Sequence, residues 1–560
     1  MQLLLTTLNA KYIHTNLAIR LLYQLNKNKG NVSWKEFTIK QTVAEIVQVC
    51  MGYDVITFSC YIWNINQTLE VAKALKAINP EIKIVLGGPE VSYDWQEVLL
   101  LTYVDFIIVG EGEIPFSYFL ENYPNLKDAT NIAYKYNGQI FFRADSVSFD
   151  LTNYDQCLPY VDDDLPSLKH KILYVESSRG CPYKCEFCLA SLDNKVRQLP
   201  IEAIKKNLLF LMQHGSTIKF LDRTFNVRKD FTIDIFQFIL ANHQPGNVFQ
   251  FEITADIVHP DIIKFIEQNV RPGIFRFEIG IQTVNQKANL AVSRKQNFEK
   301  TSSIIKQLQP YIAMHLDLIV GLPHDYWDDI KDSFNQVLKL HPMELQLGFL
   351  KFLKGTPVRQ KYLEHGYVFD EKAPYQIKQS NFLSTADLQQ LTLLEAALEI
   401  YWNKPRAISL LKYITKHHDA FDFLLQLGNR FAATHSLHAY GLKEVYQILK
   451  DELDAAYAHR PVFKTLAAID YHLQHKVKPY DLFEVSLPKQ AHFECLEQLQ
   501  LNAHLYRFAI IPIDHEAIKF LNIVPLLDQY LVIQFNGREN PIILNQLQSV
   551  GPSLSDLVVR

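Results

Sequence analysis

The chain has 560 residues, 48% of them hydrophobic and 21% charged, which predicts several folded domains and excludes disordered and collagen-like proteins. Its 56 Lys and Arg nearly balance 60 Asp and Glu, for a formal charge of -4, so it lacks the basic excess typical of nucleic-acid binders. It has no apolar run of about 18 residues and no basic segment at its start. We therefore expect a cytoplasmic protein without a membrane span or signal peptide.

Short apolar runs alternate with helical patterns between residue 1 and about residue 120. This rhythm predicts an α/β fold that begins with a doubly wound, Rossmann-like domain, to which we assign residues 1–145. Two predicted strands are followed by glycine-rich loops, Gly87-Gly88-Pro89 and Gly110-Glu111-Gly112-Glu113. Because doubly wound folds bind ligands beyond the carboxyl ends of their strands, we expect a ligand at these loops.

The remaining chain divides into three parts by pattern. Residues 146–170 contain acidic residues and two prolines without a sustained period, which predicts a linker. Residues 171–360 contain six strand candidates separated mostly by helical patterns, which predicts a partial (β/α)6 barrel. Residues 361–560 begin with long helical patterns and continue with shorter mixed segments. We expect there a mostly helical domain of unknown function that serves packing or substrate specificity.

Three of the seven cysteines lie within eight residues, as Cys181-x3-Cys185-x2-Cys188, directly after the first predicted barrel strand. Soft thiolate ligands suit iron-sulfur clusters, zinc or copper. Structural zinc requires a fourth ligand, and His170 is the only other Cys or His within about twenty residues. A cubane held by three cysteines leaves one iron open. The pattern therefore favours an iron-sulfur cluster over zinc or unliganded thiols.

The other cysteines are far apart in the sequence and lie mostly in apolar surroundings. Such thiols are usually buried and inert. These residues are Cys50, Cys60, Cys157 and Cys495.

With the aromatic Phe187 before its last cysteine, the motif resembles the signature of the radical S-adenosylmethionine (SAM) enzymes. The resemblance implies that the three thiolates hold a 4Fe-4S cluster whose open iron chelates the amino and carboxylate groups of SAM. Reductive cleavage of the sulfonium would then give a 5′-deoxyadenosyl radical that abstracts hydrogen from an unactivated carbon. An external electron donor of the flavodoxin or ferredoxin type is also implied.

Other positions in the predicted barrel resemble the SAM-contacting positions of that family. For Asp222 the alternative is a helix cap, for the fourth-strand residues an ordinary ion pair, and for Ile319 simple core packing. Glu252 alternates out of an apolar strand, where a buried carboxylate requires a partner. The SAM contacts that the resemblance implies are Phe187, Asp222, Glu252, Glu278, Gln282, Arg294, Ile319 and Gly321.

A doubly wound domain before such a barrel resembles the cobalamin-binding subclass, whose pattern is Asp-x-His-x-x-Gly, then Ser-x-Leu, then Gly-Gly. His14 matches the histidine, but Tyr12 replaces the aspartate and Leu17 replaces the glycine. Since the carboxylate that would orient an axial imidazole is missing, cobalt ligation by His14 stays open. The alternatives are a capping or packing histidine, or a cobalamin with no protein ligand. The cobalamin contacts that the resemblance implies are His14, Ser59, Gly87, Gly88, Gly110, Glu111 and Gly112.

The resemblance covers residue 1 to about residue 375 and implies a cobalamin-dependent radical SAM enzyme. The leading hypothesis is a methyltransferase acting on an unactivated carbon, or on phosphorus, of an unidentified small-molecule or peptide substrate. A cobalamin-containing radical SAM cyclase or rearrangement enzyme uses the same domains and is the first alternative. A non-catalytic protein that senses cobalamin or metal is the alternative from another class, although the complete cysteine triad disfavours it.

Methylthiolation of transfer RNA is disfavoured. Enzymes of that kind resemble this barrel but normally carry additional cysteines in the first domain, where this chain has only Cys50 and Cys60. No basic tract interleaved with aromatic residues favours a nucleic-acid substrate either.

Overall fold

The structure is a computed structural model that describes residues 1–155, 157–479, 482–483, 489–527 and 530–545. The chain forms two compact units. The first comprises residues 1–326 and 348–384, and the second comprises residues 327–347 and the described residues from 385 onward.

The first unit begins with a seven-stranded sheet in the order β2-β1-β3-β4-β5-β6-β7, in which β1 to β5 are parallel and β6 and β7 are antiparallel. Its strands are β1 (Gln2–Asn9), β2 (Asn31–Thr38), β3 (Val55–Ser59), β4 (Lys83–Gly87), β5 (Phe106–Ile108), β6 (Ile132–Tyr136) and β7 (Gln139–Phe141). Its helices are α1 (Leu17–Asn26), α2 (Val43–Cys50), α3 (Ile65–Ile78), α4 (Pro89–Ser92), α5 (Trp95–Leu99) and α6 (Glu113–Asn122). This is the doubly wound arrangement that the sequence predicts.

The parallel strands of this sheet are buried on both faces. In β1, Leu4 and Leu8 belong to one apolar cluster while Leu3 and Leu5 belong to another on the opposite face. Continuous apolar runs are therefore required, as in other parallel sheets covered by helices on both sides. The chain leaves β1 for β2 on one side and returns to β3 on the other, which creates a crevice at the carboxyl ends of β1 and β3.

The predicted linker is tied to the amino-terminal domain by buried charge. It contains a 3-10 helix (Leu151–Tyr154) and the short helix α7 (Leu165–Leu168). Arg20 of α1 is fully buried and lies 2.6 Å from carboxylate oxygens of both Glu36 and Asp163. Since Asp163 belongs to the linker, this ion pair holds the linker against the first domain.

The next part of the first unit is the predicted barrel. It contains β8 (Ile172–Val175), β9 (Ser178–Arg179), β10 (Arg197–Gln198), β11 (Thr217–Phe220), β12 (Val248–Glu252), β13 (Phe275–Gln282) and β14 (Ala313–Val320). Its helices are α8 (Ile201–His214), α9 (Lys229–Asn242), α10 (Pro260–Asn269), α11 (Gln286–Ala291) and α12 (Phe298–Leu308). The strands β8, β11, β12, β13 and β14 are parallel neighbours in chain order, as in a (β/α) barrel.

The following segment is shared between the two units. It contains α13 (Trp327–Leu338), β15 (Glu344–Phe349), α14 (Pro357–Gln360), β16 (Val368–Phe369) and β17 (Ile377–Gln379). All six strands predicted for the barrel are thus formed.

The outer edge of β8 is covered by the amino-terminal domain. The Ile172 N–H donates to the Ile13 carbonyl at 2.7 Å, and the Thr15 hydroxyl donates to the Ile172 carbonyl at 2.8 Å. Tyr160 of the linker region adds a third contact, since its hydroxyl accepts from the Tyr174 N–H at 2.8 Å. The backbone groups at this edge are therefore satisfied by residues distant in sequence.

The second unit continues with α15 (Thr385–Leu398), a π-helix (Glu399–Asn403), α16 (Ile408–His417), α17 (Ala420–Thr434), α18 (Leu442–Ala456), α19 (Pro461–Leu473), α20 (Lys489–Gln498) and α21 (His515–Leu521). It also contains the antiparallel strands β18 (Arg507–Pro512), β19 (Tyr530–Phe535) and β20 (Ile542–Leu544). The predicted helical character is confirmed, and the sheet accounts for the mixed segments. Within the described residues, every helix falls short of the length and apolar character that membrane crossing requires.

Candidate active site

The three clustered cysteines lie on one loop that a two-stranded ribbon closes at its base. Strands β9 and β10 pair antiparallel on either side of the loop. The Cys181 N–H donates to the Asp193 carbonyl at 2.9 Å, which draws the two ends together. Gly180 has φ +85°, and a Cβ there would collide with the Lys195 carbonyl. The position before the first cysteine therefore requires glycine.

Cys181 and Cys185 of this loop are buried, Cys188 is partly buried, and the three thiols lie near one another. Burial raises the pKa of Cys181 and Cys185, and charge on the neighbouring thiols raises both further. Arg294 opposes this effect at Cys185, where its Nη1 lies 3.7 Å from Sγ. Because metal-bound cysteines are thiolates, a guanidinium at this point stabilises the ligand form. Thiolate ligands from one loop fit the iron-sulfur cluster that the sequence predicts.

A residue between the cysteines anchors the far side of the loop. The Glu186 carboxylate lies 2.8 Å from the ammonium of Lys361 and accepts from the Ser293 hydroxyl at 2.9 Å. Its N–H donates to the Val292 carbonyl at 3.0 Å. Glu186 was not predicted from the sequence, although an acidic residue inside a metal-binding motif is itself a signal.

Two buried polar atoms near the cysteines have no hydrogen-bond partner in the part of the chain that the structure describes. They are Oε1 of Gln282 and Nε of Arg294. Arg294 also donates to the Gly280 carbonyl, which orients its guanidinium beside Cys185. Buried polar atoms are normally satisfied, so this pair fits a ligand with both donor and acceptor groups. SAM, with its carboxylate, amino and ribose hydroxyl groups, meets that requirement.

The interior of the barrel is charged where barrels are usually filled by branched apolar side chains. The Glu278 carboxylate lies 2.6 Å from the Lys219 ammonium and accepts from the Gln250 amide at 2.9 Å. Nε2 of His315 lies 3.1 Å from Oδ1 of Asp317. Ligand atoms of Glu278, His315 and Asp317 lie within 4.8 Å of one another, in a geometry that could hold a metal ion. Lys219 already provides a cation beside this group.

The pKa values of the carboxylates in this interior are shifted in opposite directions. Burial acts to raise the pKa of Glu278, but the nearby Lys219 charge holds it below the ordinary value. Burial raises the pKa of Glu252, whose partner Arg223 lies 3.5 Å away, and burial also raises the pKa of Asp317. The sequence predicted Glu252 and Glu278 as SAM contacts, and the structure places both on the inner face of the sheet. An interior of this kind fits a polar ligand.

Two other predicted SAM contacts, Asp222 and Gly321, have partners within the protein. Asp222 is 2% exposed, and its two carboxylate oxygens accept from the N–H and hydroxyl of Ser177. Asp222 therefore braces the chain that leads into the cysteine loop. Gly321 has φ +100°, a Cβ there would lie 2.7 Å from Ile377, and its carbonyl accepts from Tyr367 at 2.9 Å.

The last two predicted SAM contacts, Ile319 and Phe187, are each partly buried. The contacts of all of these residues with SAM stay predictions.

The predicted cobalamin contacts lie at the carboxyl ends of four adjacent strands of the amino-terminal sheet. His14 follows β1, Ser59 ends β3, Gly87 and Gly88 end and follow β4, and the loop 110–112 follows β5. Gly88 has φ +103°, and a Cβ there would lie 2.6 Å from the Cys60 carbonyl. This edge contains the crevice at which doubly wound sheets bind ligands.

His14 is engaged by the barrel. Its Nδ1 lies 2.8 Å from the hydroxyl of Tyr174 on β8. Burial, with the charges of Lys11 and Lys219, lowers the pKa of His14, which keeps the imidazole neutral. The partner of the imidazole is thus a phenol on a barrel strand and not a carboxylate at position 12.

Glu111 and Glu113 are likewise engaged across the domain boundary. Both carboxylates pair with the guanidinium of Arg179, two residues before Cys181, at 3.2 Å and 2.6 Å. Glu111 was predicted from the sequence as a cobalamin contact, whereas Arg179 was not predicted as a site residue.

Three protein families match successive parts of this chain. Residues 4–120 match the B12 binding domain. Residues 175–337 match the radical SAM superfamily. Residues 363–512 match a protein family of unknown function, DUF4080.

Curated relatives match parts of the chain at low identity. An uncharacterised methyltransferase of Pyrococcus horikoshii is 29% identical over 304 residues, which cover 51% of this chain and 63% of that protein. The cobalamin-dependent radical SAM methyltransferase TokK of Streptomyces tokunonensis is 27% identical over 159 residues, which cover 26% of this chain and 23% of TokK. The chain therefore spans less than two thirds of the length of these relatives.

Solved structures share the fold over longer stretches. The cobalamin-dependent S-adenosylmethionine radical enzyme OxsB, with aqua-cobalamin bound, superposes with a TM-score of 0.59 at 15% identity, covering 93% of this chain and 83% of OxsB. The radical S-adenosylmethionine methyltransferase TsrM from Kitasatospora setae, with cobalamin and a [4Fe-4S] cluster bound, gives a TM-score of 0.56 at 11% identity. That superposition covers 69% of this chain and 79% of TsrM. Both likenesses concern the fold.

Proposed function

We propose that this chain, which carries a B12-binding domain and a radical SAM domain followed by a DUF4080 domain, is a cobalamin-dependent radical SAM methyltransferase. The radical SAM domain implies a 4Fe-4S cluster and SAM as cofactors, and the B12-binding domain implies cobalamin. The substrate would be a small molecule or peptide methylated at an unactivated carbon or at phosphorus. A flavodoxin or ferredoxin type of protein would deliver the electrons.

The observation that carries this proposal is the direct contact between the two cofactor-binding parts. Glu111, in the loop after β5, pairs with Arg179 at the base of the cysteine loop, and His14, after β1, is bonded to Tyr174 on the first barrel strand. The edge expected to bind cobalamin and the loop expected to bind the cluster therefore adjoin each other within one compact unit. Transfer of a methyl group from one site to a substrate activated at the other requires such proximity.

When bound, SAM and the reduced cluster supply a 5′-deoxyadenosyl radical, and methylcobalamin supplies a methyl group. The protein contributes positions and charges. Cys181, Cys185 and Cys188 would hold the cluster, and Arg294 would face the carboxylate of SAM with Gln282 beside it. The charged barrel interior around Glu278 supports a substrate that carries hydrogen-bonding or ionic groups.

The first experiment is anaerobic reconstitution of the full chain with iron, sulfide and hydroxocobalamin, followed by iron and cobalt analysis of one sample. We expect about four irons and stoichiometric cobalt. Incubation with SAM and a reductant should then yield both S-adenosylhomocysteine, from methylation of cobalamin, and 5′-deoxyadenosine, from the radical step.

The other hypotheses give different results. Iron without cobalt would refute the cobalamin assignment. Production of 5′-deoxyadenosine alone would instead support a cyclase or rearrangement enzyme. Cobalt binding without any cleavage of SAM would support a sensing protein.

A further inference from the structure

The ribbon at the base of the cysteine loop places two positive charges opposite each other. In the pairing of β9 with β10, Arg179 is the direct partner of Arg197. Like charges at directly opposed positions destabilise an antiparallel pair. The ribbon is only two residues long on each side, so its backbone hydrogen bonds provide little compensation. A negative group between the two guanidinium groups is therefore required.

Glu111 provides that negative group from the amino-terminal domain. Its Oε1 accepts from Nη1 of Arg179 at 3.2 Å and also from Nη2 of Arg197. Its Oε2 accepts from the Phe149 N–H at 3.1 Å, and the Phe149 carbonyl accepts from Nη1 of Arg197 at 3.2 Å. Burial acts to raise the pKa of Glu111, but the two arginines hold it below the ordinary value, so the carboxylate is ionised.

The two arginines differ in what else they contact. Arg179 has two further carboxylate partners, Glu113 at 2.6 Å and Glu176 at 3.0 Å. Arg197 has one, the half-exposed Asp193 at 3.8 Å. Among the described residues, Glu111 is the only carboxylate paired with both arginines. Its loss would leave Arg179 neutralised and Arg197 largely uncompensated.

We propose that Glu111 of the B12-binding domain is a positioning residue for the iron-sulfur loop, because its carboxylate holds Arg179 and Arg197 together at the base of that loop. Cys181 is separated from Arg179 only by Gly180, and the Cys181 N–H is bonded to the Asp193 carbonyl on the other side of the loop at 2.9 Å. A shift of the ribbon would therefore move the first cysteine. The inference rests on the proposed function, since it takes the three cysteines as cluster ligands.

The test compares cluster retention in the anaerobically reconstituted full-length protein and three variants, Glu111→Gln, Arg197→Gln and the double variant. The measurement is the rate at which a ferrous chelator removes iron, together with the electron paramagnetic resonance spectrum of the reduced cluster. Mutation of a residue that supports a metal ligand typically lowers the affinity for the metal by about 10- to 100-fold. We expect Glu111→Gln to lose iron about tenfold faster or more. The double variant should lose iron more slowly than Glu111→Gln, because it no longer contains an Arg197 guanidinium that lacks its close carboxylate partner.

Rescue by the second substitution separates positioning from general loss of stability, because two independent destabilising changes would add. The exposed Glu97→Gln on α5 is the matched control and should behave as wild type. Equal rates for wild type and Glu111→Gln would overturn the inference, as would a double variant that loses iron faster than Glu111→Gln. Absence of iron from the wild-type protein would instead contradict the proposed function.

Discussion

Nδ1 of His14 lies 2.8 Å from the phenolic oxygen of Tyr174, so a residue after the first strand of the B12-binding domain is bonded to the first strand of the barrel. Burial raises the pKa of Tyr174 to about 12, which keeps its hydroxyl protonated. Where this hydroxyl donates to Nδ1, the proton of the neutral imidazole resides on Nε2.

This tautomer gives a prediction about cobalamin. A protonated Nε2 has no lone pair to offer to cobalt, so we expect His14→Ala to leave the visible spectrum of bound hydroxocobalamin unchanged. Wild type and variant are each saturated with hydroxocobalamin and their absorption bands are compared. A band shift in the variant would show that His14 is an axial ligand.

The cysteine loop gives a prediction about iron. Cys185→Ala removes one of three ligands, and we expect the reconstituted variant to lose most of the roughly four irons per chain. Cys50→Ala is the control, because that thiol is fully buried in the core of the amino-terminal sheet. Iron analysis after anaerobic desalting measures both. Undiminished iron in Cys185→Ala would contradict the cluster assignment.

The two neighbouring glycines at the carboxyl end of β4 differ in what a side chain would contact. A Cβ at Gly88 would lie 2.6 Å from the Cys60 carbonyl, on a backbone with φ +103°, whereas a Cβ at Gly87 would meet Ile108 at 3.7 Å. We therefore expect Gly88→Ala to destabilise the protein by about 1–3 kcal/mol and Gly87→Ala to leave stability nearly unchanged. Urea unfolding measures the difference. Weaker hydroxocobalamin binding by a stable Gly87→Ala protein would support a cobalamin contact there.

The buried Arg20 forms ion pairs with both Glu36 and Asp163. Replacing it with Met leaves the buried Asp163 without its cation and leaves Glu36 with only Lys171, 3.7 Å away. We expect a loss of about 3–5 kcal/mol in the free energy of unfolding. Lys27→Met is the matched control, since Lys27 pairs with the neighbouring Asp162 at 2.8 Å while both side chains are about one third exposed. That variant should lose less than about 1 kcal/mol. Similar losses of stability in the two variants would contradict the prediction that the buried ion pairs of Arg20 contribute more than the exposed pair of Lys27.

His472 in the second unit gives a pH dependence. Burial lowers its pKa to about 4, and its Nδ1 donates to the Ala468 carbonyl at 2.7 Å. A histidine with a lowered pKa stabilises the fold fully above its unfolded pKa of about 6.5, and this stability is lost as the pH falls toward 4. Between pH 7 and pH 5 we expect a loss of roughly 2 kcal/mol from this group.

The measurement for His472 is the free energy of unfolding of wild type and His472→Gln at the two pH values. The difference between them should shrink at pH 5. Comparison with the variant cancels the contribution of Asp470, whose pKa burial raises to about 6. A difference that stays constant with pH would contradict the prediction.

Local patterns predicted the fold because strands and helices depend on residues close in sequence. The cysteine motif and the glycine loops were likewise visible as short segments. The partners of the site were not, because they are joined across long stretches of chain: Tyr174 lies 160 positions from His14. The pattern around His14 would place a carboxylate at position 12, whereas the structure provides a phenol on another domain.

Glu111 illustrates a second limit of prediction from sequence. A glutamate in a glycine-rich loop after a strand predicts a ligand contact, because such loops bind ligands in doubly wound folds. The structure shows its carboxylate on Arg179, 68 positions away, and on Arg197. Periodicity contains no information about which charges meet, so the residue could be located from sequence but its partners could not.

The segment Ile13–Thr15 pairs with the edge of β8, and this contact limits how the protein can be divided or recombined. A fragment that began at residue 171 would expose the backbone N–H and carbonyl groups of Ile172 that Ile13 and Thr15 now satisfy. Unpaired strand edges promote self-association. An exchange of B12-binding domains between relatives would therefore have to transfer residues 13–15 and 172–175 together, so recombination cannot treat the first domain and the barrel as independent modules.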